Sequence, residues 1–405
     1  MRRIPRLYGR RRGIFLAISL ILAVWIIFVF VFLPAPAPAS SAPFPGTNST
    51  DLLENSSTTG KSTTTLPSAS AYIPLLFILE QADKNSFLLL KLLRCLRSVV
   101  ATGHAPVNVI IISERKSFDL AESAIKRNVT SDKAKLRLSY LNLDDAVALS
   151  RDILGPIKSR LFPTARTTST LSQTAFFLST VLHQLLPFHN RVLYIDADTV
   201  FHSDIAGLYR QFDRFSDRNL FAAAYEQQPT YRHALATYRK SHPNTTFGSA
   251  PPGGNPDITL GSAPPGGNPD AMLGSAPPGG RSHPDTTLRS APSGGNPGIN
   301  SGVLLIDLNR LRRSAQFQAA LQPDAIGNLT EKYSFADHLR GDQDLLTLWS
   351  FEYPHWFHVM PCEWNRQLCV RWKSKGYAEV FEAYHACSNR VMIYHANCNT
   401  RVPVK

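Results

Sequence analysis

The stretch Val192-Leu-Tyr-Ile-Asp196-Ala197-Asp198-Thr199-Val200-Phe201 decides the fold class, because a run of buried-strand character stops at two carboxylates one residue apart. Branched and aromatic apolar residues drive such a strand into a core, and two anions cannot follow them unless a positive charge meets them. The strand end therefore offers a hard-oxygen site for a divalent ion. Mg²⁺ or Mn²⁺ held by one or two carboxylates completes its shell with phosphate oxygens, which points to a nucleotide or nucleotide-sugar ligand. A solvated turn or a helix N-cap would use the same two acids, so the motif alone leaves both readings open.

Outward from this strand, the residues alternate between two periods. Upstream, Thr170 to Leu186 predicts a helix feeding the acid-bearing strand. Ile73 to Leu79 and Val107 to Ser113 predict strands, Leu136 to Leu143 a weaker one, and Phe87 to Val100 a helix whose Cys95 is a buried free thiol. Downstream, Asn300-Ser301-Gly302 predicts a tight glycine turn entering a buried strand that ends at Asp307, with a helix from Leu308. Strands alternating with helices imply an α/β domain with a largely parallel sheet. Ligands of such sheets bind at the carboxyl ends of the strands, where Asp196 and Asp198 lie.

An internal repeat interrupts this domain at about 248–297, as GSAPPGGNPDITL, GSAPPGGNPDAML, GSAPPGGRSHPDTTL and a degraded RSAPSGGNPG. Its Pro and Gly content supplies no apolar face for a solenoid to stack, so it reads as a disordered surface insertion made by duplication of one loop. Loop length is cheap, at about 0.6 kcal/mol per doubling.

The N-terminus has its own logic. Six arginines and no acid fall within the first twelve residues, and Ile14 to Leu33 then carries no charge. Twenty helical residues span about 30 Å, the hydrocarbon thickness of a bilayer. A cleaved signal peptide is the competing reading, but its apolar region is usually about 7 to 15 residues long. The charge asymmetry places 1–13 in the cytosol, 14–33 as a transmembrane signal-anchor and the remaining chain in the lumen. Residues 34–70, rich in Ser, Thr and Pro, read as a stem. The main domain then occupies 71–405.

Acceptor sequons at Asn48, Asn55, Asn128, Asn244 and Asn328 agree with a lumenal domain. So do Cys362, Cys369, Cys387 and Cys398, four of the five cysteines, which suit two disulfides in an oxidising compartment. Three pairings are open, and a zinc site is the weaker alternative because no C-x2-C pair occurs. Of the net charge of +13, six units belong to the N-terminal arginines. The modest remainder gives no reason to invoke nucleic acid.

Several segments together resemble the retaining glycosyltransferases of the glycogenin-like type. They are Phe176-Phe-Leu-Ser-Thr-Val-Leu-His-Gln, Ile195-Asp-Ala-Asp, Gln228-Pro-Thr-Tyr-Arg-His, Asn300-Ser-Gly-Val, Gly341-Asp-Gln-Asp344, Trp364-Asn-Arg-Gln-Leu-Cys369, Val380-Phe-Glu-Ala-Tyr384 and Tyr394-His-Ala-Asn-Cys-Asn399. Asp-x-Asp and Asn-Ser-Gly mark the broad family. The WNRQLC and VFEAY segments are most similar to those members that add xylose to xylosides in alpha-1,3 linkage.

The resemblance implies a GT-A fold, UDP-xylose as donor, and as acceptor the xylose of a xylosyl-glucose O-linked to epidermal growth factor-like (EGF-like) repeats of Notch-type receptors. It implies Mn²⁺, with Mg²⁺ the second candidate, on Asp196, Asp198 and His395, although a lone histidine is more often a core residue. It places Gln343 near the reacting sugar, with Asp342 and Asp344 as the adjacent acids. Read without the resemblance, either acid is a helix N-cap. Donor contacts carried over are Phe77, Ile78, Leu79, Ala197, Ser301, Leu339, Gln343 and Asn397. Trp372 and Lys373 match acceptor-side positions, where an aromatic face suits a sugar ring or ordinary packing. The implied disulfides are Cys362 with Cys387 and Cys369 with Cys398, and the implied location is the endoplasmic reticulum membrane, with the Golgi second. Two other functions stay open: a transferase adding the first xylose to O-linked glucose, and a non-catalytic lumenal module that binds a UDP-sugar.

Overall fold

The computed structural model describes residues 72–129, 136–161, 175, 177–243, 296–335, 338–339 and 341–403. The expected anchor, stem and repeat insertion lie outside these residues, apart from 296–297 at the end of the repeat. Among the described residues no helix is long and apolar enough to cross a membrane.

The strands in chain order are β1 (Ile73–Leu79), β2 (Val107–Ser113), β3 (Leu136–Asn142), β4 (Arg191–Ile195), β5 (Thr199–Phe201), β6 (Phe221–Tyr225), β7 (Ile299–Asp307), β8 (Phe357–Met360), β9 (Arg366–Gln367) and β10 (Ile393–His395). Seven form one sheet in the order β3-β2-β1-β4-β7-β6-β8, and β5, β10 and β9 form a small second sheet. Alternation of side chains splits the core. Leu75, Phe77, Val109, Ile111, Leu193 and Ile195 face one layer, while Leu76, Ile110, Ile112, Val192, Leu304 and Ile306 face the other. Because both faces are covered, β2 and β7 are buried along their whole length. The Ser86–Thr102 helix seals the first layer with Leu92, Cys95, Leu96 and Val99, and Asn85 caps it by accepting from Leu88 N.

The sheet is largely parallel, as expected: four of its six strand pairings are parallel, and only β7 runs antiparallel, to both β4 and β6. Two expectations need correction. The described part of 170–186 is not one helix but a 3-10 turn, Leu178–Val181, followed by the short helix Leu182–Leu185. There the Thr180 hydroxyl donates back to the Phe177 carbonyl, a local bond that competes with the helix, and the Ser179 hydroxyl reaches away to Asp342. Finally, Asn300-Ser301-Gly302 is no turn. It lies inside β7 at a register jump, where Ala223 pairs with Leu304 but Ala224 pairs with Asn300, so residues 301–303 have no partner on β6.

Candidate active site

Strand β4 ends at Ile195, Asp196-Ala197-Asp198 turns the chain, and β5 enters the small sheet. Strand β10 runs antiparallel to β5 with His395 opposite Thr199, which returns the imidazole to the acids. His395 Nε2 lies 3.5 Å from Asp196 Oδ2 and 3.4 Å from Asp198 Oδ1. The main chain fixes this meeting, since Asp196 N donates to Gly302 O and Ala396 N donates to Asp198 O, each at 2.9 Å.

The donor set fits a divalent ion. All three candidate ligand atoms lie within 4.8 Å of one another. Asn365 Nδ2 donates to Asn300 Oδ1 at 2.9 Å, so Asn365 Oδ1, 3.1 Å from His395 Nδ1, is the acceptor of the imidazole N–H. Once Nε2 gives up its proton, its lone pair is thereby aimed at the space between the carboxylates, as ligation requires. Two carboxylate oxygens suit a hard divalent ion such as Mn²⁺ or Mg²⁺, with the imidazole as a third ligand. The local field agrees. Burial opposes charge on His395, yet the two carboxylates outweigh it and hold the imidazolium up to about 10. Burial likewise opposes the Asp198 anion, but His395 and Lys91 draw it down to about 2. Lys91 Nζ sits 3.2 Å from Asp198 Oδ2 and 2.8 Å from Asn399 Oδ1, beside a cavity of about 210 Å³ bordered by Phe87, Arg94 and Val200.

Gln343 occupies a second node. Its Oε1 accepts from Ser301 N at 3.1 Å, and its Nε2 donates to Glu226 Oε2 at 3.2 Å and to Tyr231 Oη at 3.3 Å. The expected side-chain N-cap is absent: the Asp342–Glu352 helix starts from Gly341, with both acids in its first turn. Distant partners have claimed them. Ser179 donates to Asp342 Oδ2 at 2.5 Å and Tyr231 to Asp344 Oδ1 at 2.9 Å. Burial, helped by the charges of Asp196 and Asp344, pushes the Asp342 carboxyl up to about 7 against the pull of Ser179 and the Gln343 N–H.

The remaining sequence-predicted residues separate by exposure. Phe77, Leu79 and Leu339 are fully buried in the core, and Ile78 and Ala197 are partly buried. Asn397 Oδ1 accepts from Leu368 N and Cys369 N, holding the segments around β9 and β10 together. Trp372 packs 5.2 Å from the His233 ring and 5.4 Å from the Tyr377 ring, while Lys373 pairs with exposed Glu382. The Thr230–Ala234 helix joins these two regions: Tyr231 bonds Gln343, and His233 touches Trp372. Both implied disulfides are present, Cys362–Cys387 and Cys369–Cys398, and Cys95 is a buried free thiol raised to about 12 by desolvation.

Sequence reasoning missed Glu226, Lys91, Tyr231, Asn300 and Asn365 as site residues. Glu226 carried the signal that exposed Asp196, an acid at the end of an apolar strand, here Phe221-Ala-Ala-Ala-Tyr225. Asn300, Tyr231 and Asn365 stood in segments singled out as motifs. Lys91, one of three cations in an otherwise largely apolar helix, carried none.

A mixed α/β sheet with an Asp-x-Asp turn at a central strand end, and a C-terminal histidine returned to it, is the arrangement of a GT-A glycosyltransferase. Comparison with known proteins agrees. No family model matches the chain. It is 32% identical to human xyloside xylosyltransferase 1 over 336 residues, covering 81% of this chain and 74% of that protein. A shorter stretch of 73 residues, 16% of each chain, is 39% identical to mouse glucoside xylosyltransferase 2. The crystal structure of mouse xyloside xylosyltransferase 1 in its apo form superposes with a TM-score of 0.64 at 28% identity, over 82% of this chain and 99% of that one. The chain belongs to the xyloside xylosyltransferase family, enzymes of the glycosyltransferase class.

Proposed function

We propose that this protein moves xylose from UDP-xylose, with retention, in alpha-1,3 linkage onto the xylose of xylosyl-glucose O-linked to EGF-like repeats of Notch-type receptors. The observation that carries the reading is the convergence of Asp196, Asp198 and His395, in a chain whose long match is to xyloside rather than glucoside xylosyltransferases. Asp196, Asp198 and His395 Nε2 would hold Mn²⁺, or Mg²⁺ in its place. Such an ion supplies Lewis-acid stabilisation to the departing diphosphate. Donor contacts fall to Phe77 to Leu79, Leu339, Ala197, Ser301, Gln343 and Asn397. Trp372 and Lys373 serve the acceptor side.

Gln343 presents an amide to the cationic sugar without capturing it. Asp342 and Asp344 are already engaged by Ser179 and Tyr231, which disfavours either as a covalent nucleophile. This supports front-face transfer, in which the leaving phosphate takes the proton of the acceptor hydroxyl. Residues 1–13 would be cytosolic, 14–33 the anchor and 34–70 the stem of a type II protein of the endoplasmic reticulum membrane. The two disulfides suit that lumen.

The test is mass spectrometry of a folded EGF-like repeat bearing xylosyl-glucose, incubated with UDP-xylose, Mn²⁺ and the full chain, beside Asp198→Asn. Addition of one pentose by wild type alone is expected. Pentose on a glucose-only repeat instead would move the assignment to the first-xylose transferase. UDP binding without transfer to either would indicate a binding module.

A further inference from the structure

Glu226 follows β6 directly and is almost fully buried, at 4% exposure. Its main chain is tied down by Glu226 N donating to Gly298 O at 2.9 Å. Its Oε2 accepts from Asn300 Nδ2 at 2.9 Å and from Gln343 Nε2 at 3.2 Å. Followed outward, every bond in this buried chain points toward it. His395 Nδ1 donates to Asn365, Asn365 Nδ2 to Asn300, and Asn300 Nδ2 to Glu226, while Gln343 arrives from the other side.

An amide can turn over, but a carboxyl oxygen without a proton, as Oε2 of Glu226 must be to accept from two N–H groups, only accepts. Were the Gln343 amide reversed, its carbonyl would face the Glu226 carboxylate and its NH2 would face the Ser301 N–H, both repulsive in a buried setting. The acceptor-only group at the centre therefore selects one orientation for Gln343 and one for each asparagine leading to His395.

We propose that Glu226 is a positioning residue for transfer, whose carboxylate fixes the orientation of the Gln343 amide, with the Asn300–Asn365 chain carrying the same polarity to His395. The inference rests on the proposed role of Gln343 beside the reacting sugar. Glu226 itself touches neither sugar nor metal.

A double-mutant cycle on the full chain, at saturating Mn²⁺, tests it with Glu226→Met and Gln343→Ala. Glu226→Met keeps the length of the side chain and removes its acceptors, whereas Gln would keep a carbonyl at the Oε2 position that both donors share. Expected is a 10- to 100-fold fall in kcat, with KM for UDP-xylose within about threefold, and less than threefold further loss when the change is made in Gln343→Ala. An equal loss in both backgrounds, or an unchanged kcat, overturns the proposal. Should Glu226→Met not fold, Glu226→Asp enters the cycle, since its shorter reach withdraws the carboxylate from Gln343 and the same outcomes apply. If wild type transfers no xylose, the functional reading fails by itself. The positioning claim is then decided by the crystal structure of Glu226→Met. A turned or displaced Gln343 amide sustains it, and a carbonyl still on Ser301 N refutes it.

Discussion

Gly302 lies directly against the His395 ring: a Cβ built on this glycine would fall inside contact distance of the imidazole Cε1, Nδ1 and Nε2 atoms together. The absence of a side chain here serves the imbedding of the histidine, since Gly302 also accepts the Asp196 N–H that holds the turn. The predicted outcome of Gly302→Ala is a displaced imidazole. Stability should fall by about 1–3 kcal/mol, the usual range for overpacking. Mn²⁺ affinity should fall with it, and calorimetric titration of the ion alongside thermal melting checks both.

The buried Asp342 carboxyl sets a pH dependence whose sign can be worked out. Its folded value, about 7, lies above the ordinary 3.8. The folded state therefore binds the extra proton between these values, and stability from this group falls as pH rises through the window and levels off above about 7. Asp342→Asn removes the slope. Melts of wild type and variant from pH 4 to 8, with chelator present, should show the variant gaining on wild type up to about pH 7 and then holding its lead. A constant gap across the range would contradict the assignment.

Both disulfides brace the segments that carry the site. Cys398 lies three residues beyond His395, and its bridge to Cys369 holds the stretch on which Asn397 also acts. Replacing Cys369 and Cys398 by Ser is expected to cost about 2–5 kcal/mol of stability. Reduction of the native chain should likewise weaken UDP binding in the presence of Mn²⁺, by roughly tenfold or about 1.4 kcal/mol. Unchanged affinity after reductant would separate the bridges from the site.

On the acceptor side, Trp372 forms an aromatic group with His233 and Tyr377, and the His233 ring nitrogen lies 2.7 Å from Tyr377 Oη. If a sugar stacks there, Trp372→Ala should raise acceptor KM about tenfold and leave kcat within about twofold, because ground-state binding alone is lost. Steady-state kinetics over acceptor concentration separates this from a packing role, which would appear as a lower melting temperature with unchanged KM.

The strands were legible because apolar runs such as Val-Asn-Val-Ile-Ile-Ile-Ser at 107–113 need no partner to be recognised, and β2 matches that expectation residue for residue. Asp196 and Asp198 were legible because they break such a run. Two errors share one cause. The acids of Gly341-Asp-Gln-Asp looked like caps because their takers, Ser179 and Tyr231, come from elements more than 100 residues away. Asn300-Ser301-Gly302 looked like a turn because a register jump exists only relative to the neighbouring strand. Glu226 went unassigned for the same reason: its burial and its donors are properties of the assembled sheet.

The jump between β6 and β7 sets folding economy against chemistry. A regular ladder would draw Ser301 into pairing with β6. Released from it, Ser301 N is spent on Gln343, while Gly302 O continues the ladder with β4 by accepting from Asp196 N. Healing the irregularity by deletion would thus lengthen the regular sheet while cutting the amide node loose. Selection for a more orderly sheet would work against the site at this point, so an engineer seeking a sturdier protein should look for gains elsewhere.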